Sequence, residues 1–289
     1  GHQGIISNLV KTAHANKSKA AVVTFFPNPT AFLKNIQMPY YLTTPEEKEN
    51  FLKGLGIDFI DVLRFDQKLA RTQARIFINQ LHRHLPFTNL IVGSDFHFGA
   101  NHEGNIQTLE SLGRELGFEV RKEKLISIND RGISSSQIRS LLKEGKVEKA
   151  ALLLGHNYCV LGKVVHGEER GKKLGIPTAN IETWLQKLIP MNGVYTAIAH
   201  IDRVQRGAVV NIGVQPTFHK NSSIKTIEAH LLDWEKDLYG KQLKLEFVRW
   251  LRPERKYNSA RALENQISRD IQQSREIITH VIQEKNLSA

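Results

Sequence analysis

The amino-acid sequence predicts two halves of different build: an α/β half with a parallel sheet, then an antiparallel β-barrel or sandwich finished by a helix. Three observations carry this. Between residues 20 and 122, β-branched runs alternate with helix-period segments over short connections, the order of a parallel sheet covered on both faces. From about Gly155 onward, strand-like runs succeed one another with Gly, Pro and Asn between them, as in barrels and sandwiches. Residues 258–283 then carry a mostly apolar stripe at helical spacing, made by Leu263, Ile267, Ile271, Ile277 and Ile278.

Taken in order, the chain opens with GHQGIISNLVKTAH, which reads as the entry to a helix with no strand before it. A doubly wound sheet feeds each helix from a strand, so a shortened start to this half is expected. Strands are predicted at AAVVTFF (20–26), DFIDVLRF (58–65), NLIVG (89–93) and FEVRK (118–122), with helices at 45–55, 72–85 and 105–116. Thr44 before Pro45, with Glu47 three positions after Thr44, marks the first of these helix starts. In the second half, strands are predicted at YCVLGKVVHG (158–167), GVYTAIAHI (193–201), GAVVNIG (207–213), KTIEAHLLD (225–233) and QLKLEFVRWL (242–251). Asn258 or Ser259 can cap the closing helix. The expected domains are 1–155 and 156–289.

A chain of 289 residues can bury two cores. Its net charge of +11 divides almost evenly, +5 over residues 1–155 and +6 over 156–289, with no basic arm. A phosphorylated small molecule accounts for that mild positive potential as well as a nucleic acid does, and no nucleic-acid partner is expected. The single Cys159 excludes an intrachain disulfide framework and a cysteine-based zinc site, and suits a small core position. The longest apolar runs, such as ALLL at 151–154, are too short to span a bilayer. No charged-then-apolar leader opens the sequence, so a cytoplasmic protein without membrane partners is expected.

The stretch GEERGKKLGIPTANI (167–181) concentrates the chemistry of the second half. Gly167, Gly171 and Gly175 let backbone N–H groups approach a ligand with no Cβ in the way. Arg170, Lys172 and Lys173 supply cations for a polyphosphate. Pro177 stiffens the exit. Thr178 and Asn180, two apart in an extended stretch, present oxygens on one face, a donor type that suits Mg²⁺. A solvated turn would have the same composition. Further on, Thr226, Glu228 and His230 share one face of a strand, while Ile227, Ala229 and Leu231 share the other. Glu228 is either a general base for a substrate hydroxyl or a solvent-facing strand residue.

The segments GKVVHGEERGKKLGIPTANI, NGVYTAIA, NIGVQPTF, IEAHLLDWEKDLYG and LRPERKYNS fall in order across nearly all of residues 156–289. In them this half resembles the riboflavin kinase module of bacterial bifunctional riboflavin kinase/FAD synthetases. The family's usual arginine after Gly171 is Lys172 here, which keeps the charge and loses the bidentate fork. The resemblance implies a small antiparallel β-barrel with a C-terminal helix, and transfer of the ATP γ-phosphoryl group to the ribityl 5′-hydroxyl of riboflavin. It implies that Thr178 and Asn180 hold Mg²⁺ and ATP oxygens and that Glu228 is the base. The flap 167–175, with Gly167, Gly171, Lys172 and Gly175, would cover the phosphates ahead of Pro177. Arg252 would open the loop that closes over flavin. Riboflavin, FMN and ATP with Mg²⁺ are the implied ligands, with no prosthetic group.

The first half is similar to the FAD synthetase module of the same proteins, a Rossmann-type nucleotidylyltransferase domain, through TFFPNP (24–29), LTTPEEK (42–48), VGSDFHFG (92–99) and ISSSQIR (133–139). The resemblance implies nucleotide contacts from His2, Asn28, Asp95, Ser134, Ser135, Ser136 and Arg139. Ser134, Ser135 and Ser136 stand at a helix start, where hydroxyls and free N–H groups bind phosphate or simply cap the helix. Arg139, one turn in, adds a charge-assisted contact. Asn28 stands where the family often has histidine, and His102 where arginine is common. Of the family's opening Gly-x-Phe-Asp-Gly-x-His-x-Gly-His run only Gly1 and His2 are present. FMN adenylylation is therefore expected to be weak or absent in this chain.

Two histidines in LHRHL (81–85) lie two apart on a predicted helix and point to different sides, which does not suit a zinc site. Trp184, Trp234 and Trp250 read as core or pocket-rim packing. Two other classes stay open on the residues alone: a nucleotidylyltransferase for another substrate with an accessory barrel, and a non-catalytic flavin- or RNA-binding module.

Overall fold

A computed structural model describes residues 2–36, 39–123, 127–128, 131–167, 175–216 and 223–287. The chain forms two compact units, one of Gly1–Met38 with Pro45–Ile133, the other of Pro39–Thr44 with Ser134–Ala289.

The first unit runs α1 (His2–Ala15), β1 (Ala21–Phe26), α2 (Pro29–Leu33), α3 (Pro45–Gly54), β2 (Phe59–Arg64), α4 (Gln67–Ala70) and α5 (Ala74–His84). It continues with β3 (Asn89–Gly93), a 3₁₀ turn (Ala100–His102), α6 (Ile106–Leu116), β4 (Glu119–Glu123), β5 (Ser127–Ile128) and β6 (Arg131–Gly132). The α/β order and the parallel pairing hold. β1 pairs with β2 from Ala21↔Phe59 to Phe26↔Arg64, and β3 with β4 from Asn89↔Glu119 to Gly93↔Glu123. Among the described residues no ladder joins the two pairs. Side chains connect them instead: Phe77 of α5 lies 6.2 Å from Phe25 of β1 and 6.3 Å from Phe98 beyond β3, centroid to centroid. Phe77 packs on a core of Val92, Phe98, Leu109, Leu112 and Phe118. A second core of Ala20, Leu52 and Ile57 is covered by Ile6, Leu9 and Val10 of α1. α6 starts on an Asn105/Thr108 capping box and stops at left-handed Gly117. The histidines of LHRHL do part company: His82 packs on Phe87 and Phe118, and His84 faces Asp61.

The second unit contains α7 (Ser135–Lys143), α8 (Val147–Leu154), β7 (Tyr158–Val165), β8 (Ala179–Glu182), β9 (Gly193–Ile201), β10 (Val204–Pro216), β11 (Ser223–Leu231), β12 (Gln242–Arg252) and α9 (Ala260–Leu287). Of the two antiparallel options the barrel forms, closed in the order β10-β11-β8-β7-β12-β9. β8 closes it, and as a four-residue strand behind Pro177 it gives too short an alternation to be read from sequence. Ala197, Ala208, Val210, Ile212, Ala229, Leu245 and Phe247 are fully buried. α9 starts on Ser259, whose Oγ accepts from the Ala262 amide, and lays Ile271 and Ile278 on Val194, Val209 and Leu232. Beneath it the Thr196 and Ser274 hydroxyls hydrogen-bond at 2.8 Å. Gly193 has φ +145°, and a Cβ there would come within 2.6 Å of Trp250 Nε1, so the position requires glycine.

Residues 39–44 belong to this unit although first-unit residues flank them on both sides. The Tyr40 and Tyr41 amides both donate to the Gln186 carbonyl, and the Leu188 amide donates back to Tyr41. Lys187, 1% exposed, donates to the Leu42 carbonyl at 2.8 Å and lies 4.7 Å over the Tyr158 ring. Trp184 packs on Tyr41. No helix among the described residues is long and apolar enough to cross a membrane.

Candidate active site

The ends of β7, β8 and β11 and the turn 234–239 enclose a cleft of about 480 Å³ in the second unit. His166, Gly167, Pro177, Thr178, Asn180 and Tyr239 line it. Its geometry follows from ladder register. β8 lies between β7 and β11, with Asn180 opposed to Val165 on one side and to Glu228 on the other. Directly opposed residues send their side chains to the same face. Asn180 and Glu228 are therefore neighbours on one face, and Asn211 of β10 is the next rung beyond Glu228. Ile227, Ala229 and Leu231 are buried, whereas Thr226, Glu228 and His230 are half-buried on the opposite face, as the alternation predicts. Glu228 does not itself line the cleft; it stands beside it, next to Asn180.

Gly167 has a specific reason to be glycine. A Cβ there would sit 1.9 Å from Asn180 Nδ2, so the backbone after β7 can pass the Asn180 amide only without a side chain at this position. Gly175 adopts φ +70°, a left-handed conformation that favours glycine. Gly171 and Lys172 lie outside the described residues, as do Arg170 and Lys173.

Three residues that sequence reasoning passed over belong to the same place. The His230 Nδ1–H donates to the Pro177 carbonyl at 2.9 Å, tying the Pro-Thr-Ala-Asn step to β11. Its position two residues from Glu228 on one strand face was the available signal. His166 stacks on Tyr239 at 3.7 Å between centroids, and nothing in the spacing of these two residues foretold it. Trp234 is a rim residue here, its Nε1 donating to the Lys236 carbonyl at 2.8 Å.

Arg252, the last residue of β12, turns toward α9. Its Nη2 donates to Asp270 Oδ2 at 2.7 Å and its Nε reaches both carboxylate oxygens at 3.0 and 3.1 Å. Burial depresses the guanidinium pKa, but the hydrogen bonds and charge of Asp270 outweigh this and leave it raised overall. Two residues on, Glu254 Oε1 lies 3.4 Å from Asn211 Nδ2, so the segment after β12 reaches the row that carries Glu228.

The other candidates divide between the units. In the first, Asn28 caps α2, its Oδ1 accepting from the Ala31 amide at 3.2 Å just after the cis Phe26–Pro27 bond. The Asp95 carbonyl accepts from His97 Nδ1 at 2.9 Å, and His2 begins α1. In the second, Ser134 caps α7 by accepting from the Gln137 amide at 3.2 Å, and Ser135 and Ser136 form its first turn. Arg139 donates from Nε to the Tyr40 carbonyl at 2.9 Å and lies 3.8 Å over the Tyr40 ring, with burial lowering its pKa.

Fold and site together define a class: a closed antiparallel β-barrel with a polar cleft at its strand ends, preceded in sequence by an α/β unit of parallel strands. The riboflavin kinase family model matches residues 154–278 and the FAD synthetase model residues 1–137. The bifunctional riboflavin kinase/FMN adenylyltransferase of Buchnera aphidicola subsp. Schizaphis graminum is 35% identical over 276 residues, covering 94% of this chain and 88% of that one. That of Bacillus subtilis (strain 168) is 35% identical over 277 residues, covering 95% and 87%. A solved structure titled a macrolide-efflux protein from Streptococcus pneumoniae superposes with a TM-score of 0.82 at 27% identity, covering 95% of this chain and 89% of that one. The chain belongs to the bifunctional riboflavin kinase/FMN adenylyltransferase family.

Proposed function

We propose that this chain makes flavin cofactors in the cytoplasm, its barrel unit phosphorylating riboflavin to FMN with ATP and its α/β unit adenylylating FMN to FAD. The observation that carries the kinase reading is the register that sets Glu228 opposite Asn180 at the edge of the cleft. The cleft takes ATP. The Thr178 hydroxyl and the Asn180 amide oxygen are neutral donors, and no group of three or more His, Cys, Asp or Glu side chains among the described residues could hold a metal alone. That set fits Mg²⁺, which draws most of its ligands from water and nucleotide oxygens. Bound there, the ion would neutralise phosphate charge.

The protein's own part is placement and one proton. Glu228 accepts the proton of the ribityl 5′-hydroxyl as that oxygen attacks the γ-phosphorus, while the bond from the γ-phosphorus to the β,γ-bridging oxygen breaks and ADP leaves. His230 keeps the Pro177 carbonyl, and with it Thr178 and Asn180, against β11. Gly167, Gly171, Lys172 and Gly175 supply backbone N–H groups and charge over the phosphates, and Arg252 opens the flavin-facing segment. For adenylylation, the FAD synthetase match over residues 1–137 supports nucleotide contacts from His2, Asn28 and Asp95 in the first unit; Ser134, Ser135 and Ser136 also fall within the match but, like Arg139 just beyond it, belong to the start of α7 in the second unit.

Product analysis after incubation with riboflavin and MgATP tests both halves. FMN that disappears in Glu228→Gln, with riboflavin binding retained, supports the kinase reading, and the amount of FAD decides between the adenylylation proposed here and the weak or absent activity expected from the sequence. An unsubstituted chain that forms no FMN overturns the kinase reading.

A further inference from the structure

Two Asp–Arg pairs tie α9 to the strand ends that border the candidate site. Asp233, just after β11, takes both terminal nitrogens of Arg275 at 2.7 and 2.8 Å. That pair is open to solvent, its side chains 45% and 66% exposed, where an ion pair contributes little. The second pair is different. Asp270 is 3% exposed at its side chain and Arg252 17%, with Gln266 Nε2 donating to Asp270 Oδ1 at 2.9 Å. Burying a carboxylate is costly, and an apolar side chain would fix the helix at least as well. Stability alone is a poor account of it.

The contacts beyond Arg252 suggest what it serves. Arg252 Nη1 donates to the Pro253 carbonyl at 3.1 Å, setting the exit from β12. Glu254 then fills the space beside Gly213, where a Cβ would come within 2.9 Å of its Oε1, and reaches Asn211. Along the row Asn180–Glu228–Asn211, the cleft adjoins the Asn180 end and the 252–257 segment the Asn211 end. Glu228 lies between them, where a base must stand if donor and acceptor come from opposite sides.

We propose that Asp270 is a positioning residue for the kinase reaction: through Arg252 it sets the course of residues 252–257 over Asn211, and so the seat of the acceptor alcohol beside Glu228. The inference rests on the kinase reading of the barrel. It predicts an effect on one substrate only, because the cleft residues at the Asn180 end do not depend on Asp270.

The test is steady-state kinetics of the full chain with riboflavin and MgATP, with thermal melts alongside. Asp270→Asn keeps shape and removes charge; the KM for riboflavin should rise about tenfold, with the KM for ATP within about twofold. Arg275→Met cuts the exposed pair on the same helix and should leave the riboflavin KM within about twofold. Should Asp270→Asn fail to fold, R252M/D270M replaces the buried pair with apolar side chains, a change that often preserves stability, and should show the same riboflavin-selective rise. An unchanged riboflavin KM in either folded variant, or equal rises for both substrates, overturns the proposal. Failure of both to fold assigns the pair to stability and overturns it too. If the unsubstituted chain makes no FMN, the kinase reading falls first and the inference with it.

Discussion

Asn180 and Glu228 are directly opposed on β8 and β11, so an amide and a carboxylate leave the barrel side by side. Forty-eight positions of sequence separate them, and only barrel closure brings them together. Glu228→Gln preserves the shape of this pair and removes the proton acceptor. Turnover of riboflavin to FMN should drop by about 10²–10⁴-fold, while riboflavin binding, followed by flavin fluorescence, stays near that of the unsubstituted chain. A variant that keeps most of its turnover removes Glu228 as the base.

Gly167→Ala places a methyl group 1.9 Å from Asn180 Nδ2, and the amide must move. A displacement of that size should raise the KM for MgATP about tenfold or more. Asn180→Ala should raise the Mg²⁺ concentration for half-maximal activity, and combining the two should add little, because both act on one amide. Additive losses would separate Gly167 from Asn180.

Lys187→Met removes the donor to the Leu42 carbonyl and the cation over Tyr158. A fully buried carbonyl left without a partner costs about 1–3 kcal/mol, and the partly buried Leu42 carbonyl should cost a fraction of that. Urea unfolding should show that loss as a lower midpoint at constant slope; an unchanged midpoint would mean that Lys187 is replaceable.

Glu246 contributes to the loss of stability in acid. Burial alone would raise its pKa, but Lys244 at 2.7 Å and His200 at 3.1 Å more than reverse this and bring it to about 2. Its folded pKa thus lies below the unfolded value of roughly 4.3. The stabilisation is complete above the unfolded value and is lost as pH falls from there toward 2. Melts between pH 5 and 2 should fall less steeply for Glu246→Gln than for the unsubstituted chain. Parallel curves would show that this carboxylate is not what titrates.

The sequence is informative where patterning is local. Strand-like runs between turn residues placed β9 and β12, alternation gave the two faces around Glu228, and glycine-proline chemistry marked the Pro177–Asn180 step. What depends on distant partners did not show. β8 is a strand only because β7 and β11 lie on either side of it. Two pairs of parallel strands gave the same α/β rhythm as one continuous sheet, since rhythm reports direction and not adjacency. His230 was visible on the right face, but its bond to Pro177 was not. Arg139 stands in the ISSSQIR motif, but the bond from its Nε to the Tyr40 carbonyl and its packing over the Tyr40 ring were not visible in the sequence.

The docking of residues 39–44 on the barrel has a practical corollary. A gene trimmed to begin at Ser134 would encode every strand of the barrel yet discard Tyr40, Tyr41 and Leu42. In the resulting fragment Gln186 would lose two amide donors, Lys187 its carbonyl acceptor and Arg139 its aromatic platform. The module that is continuous on paper is discontinuous in its chemistry.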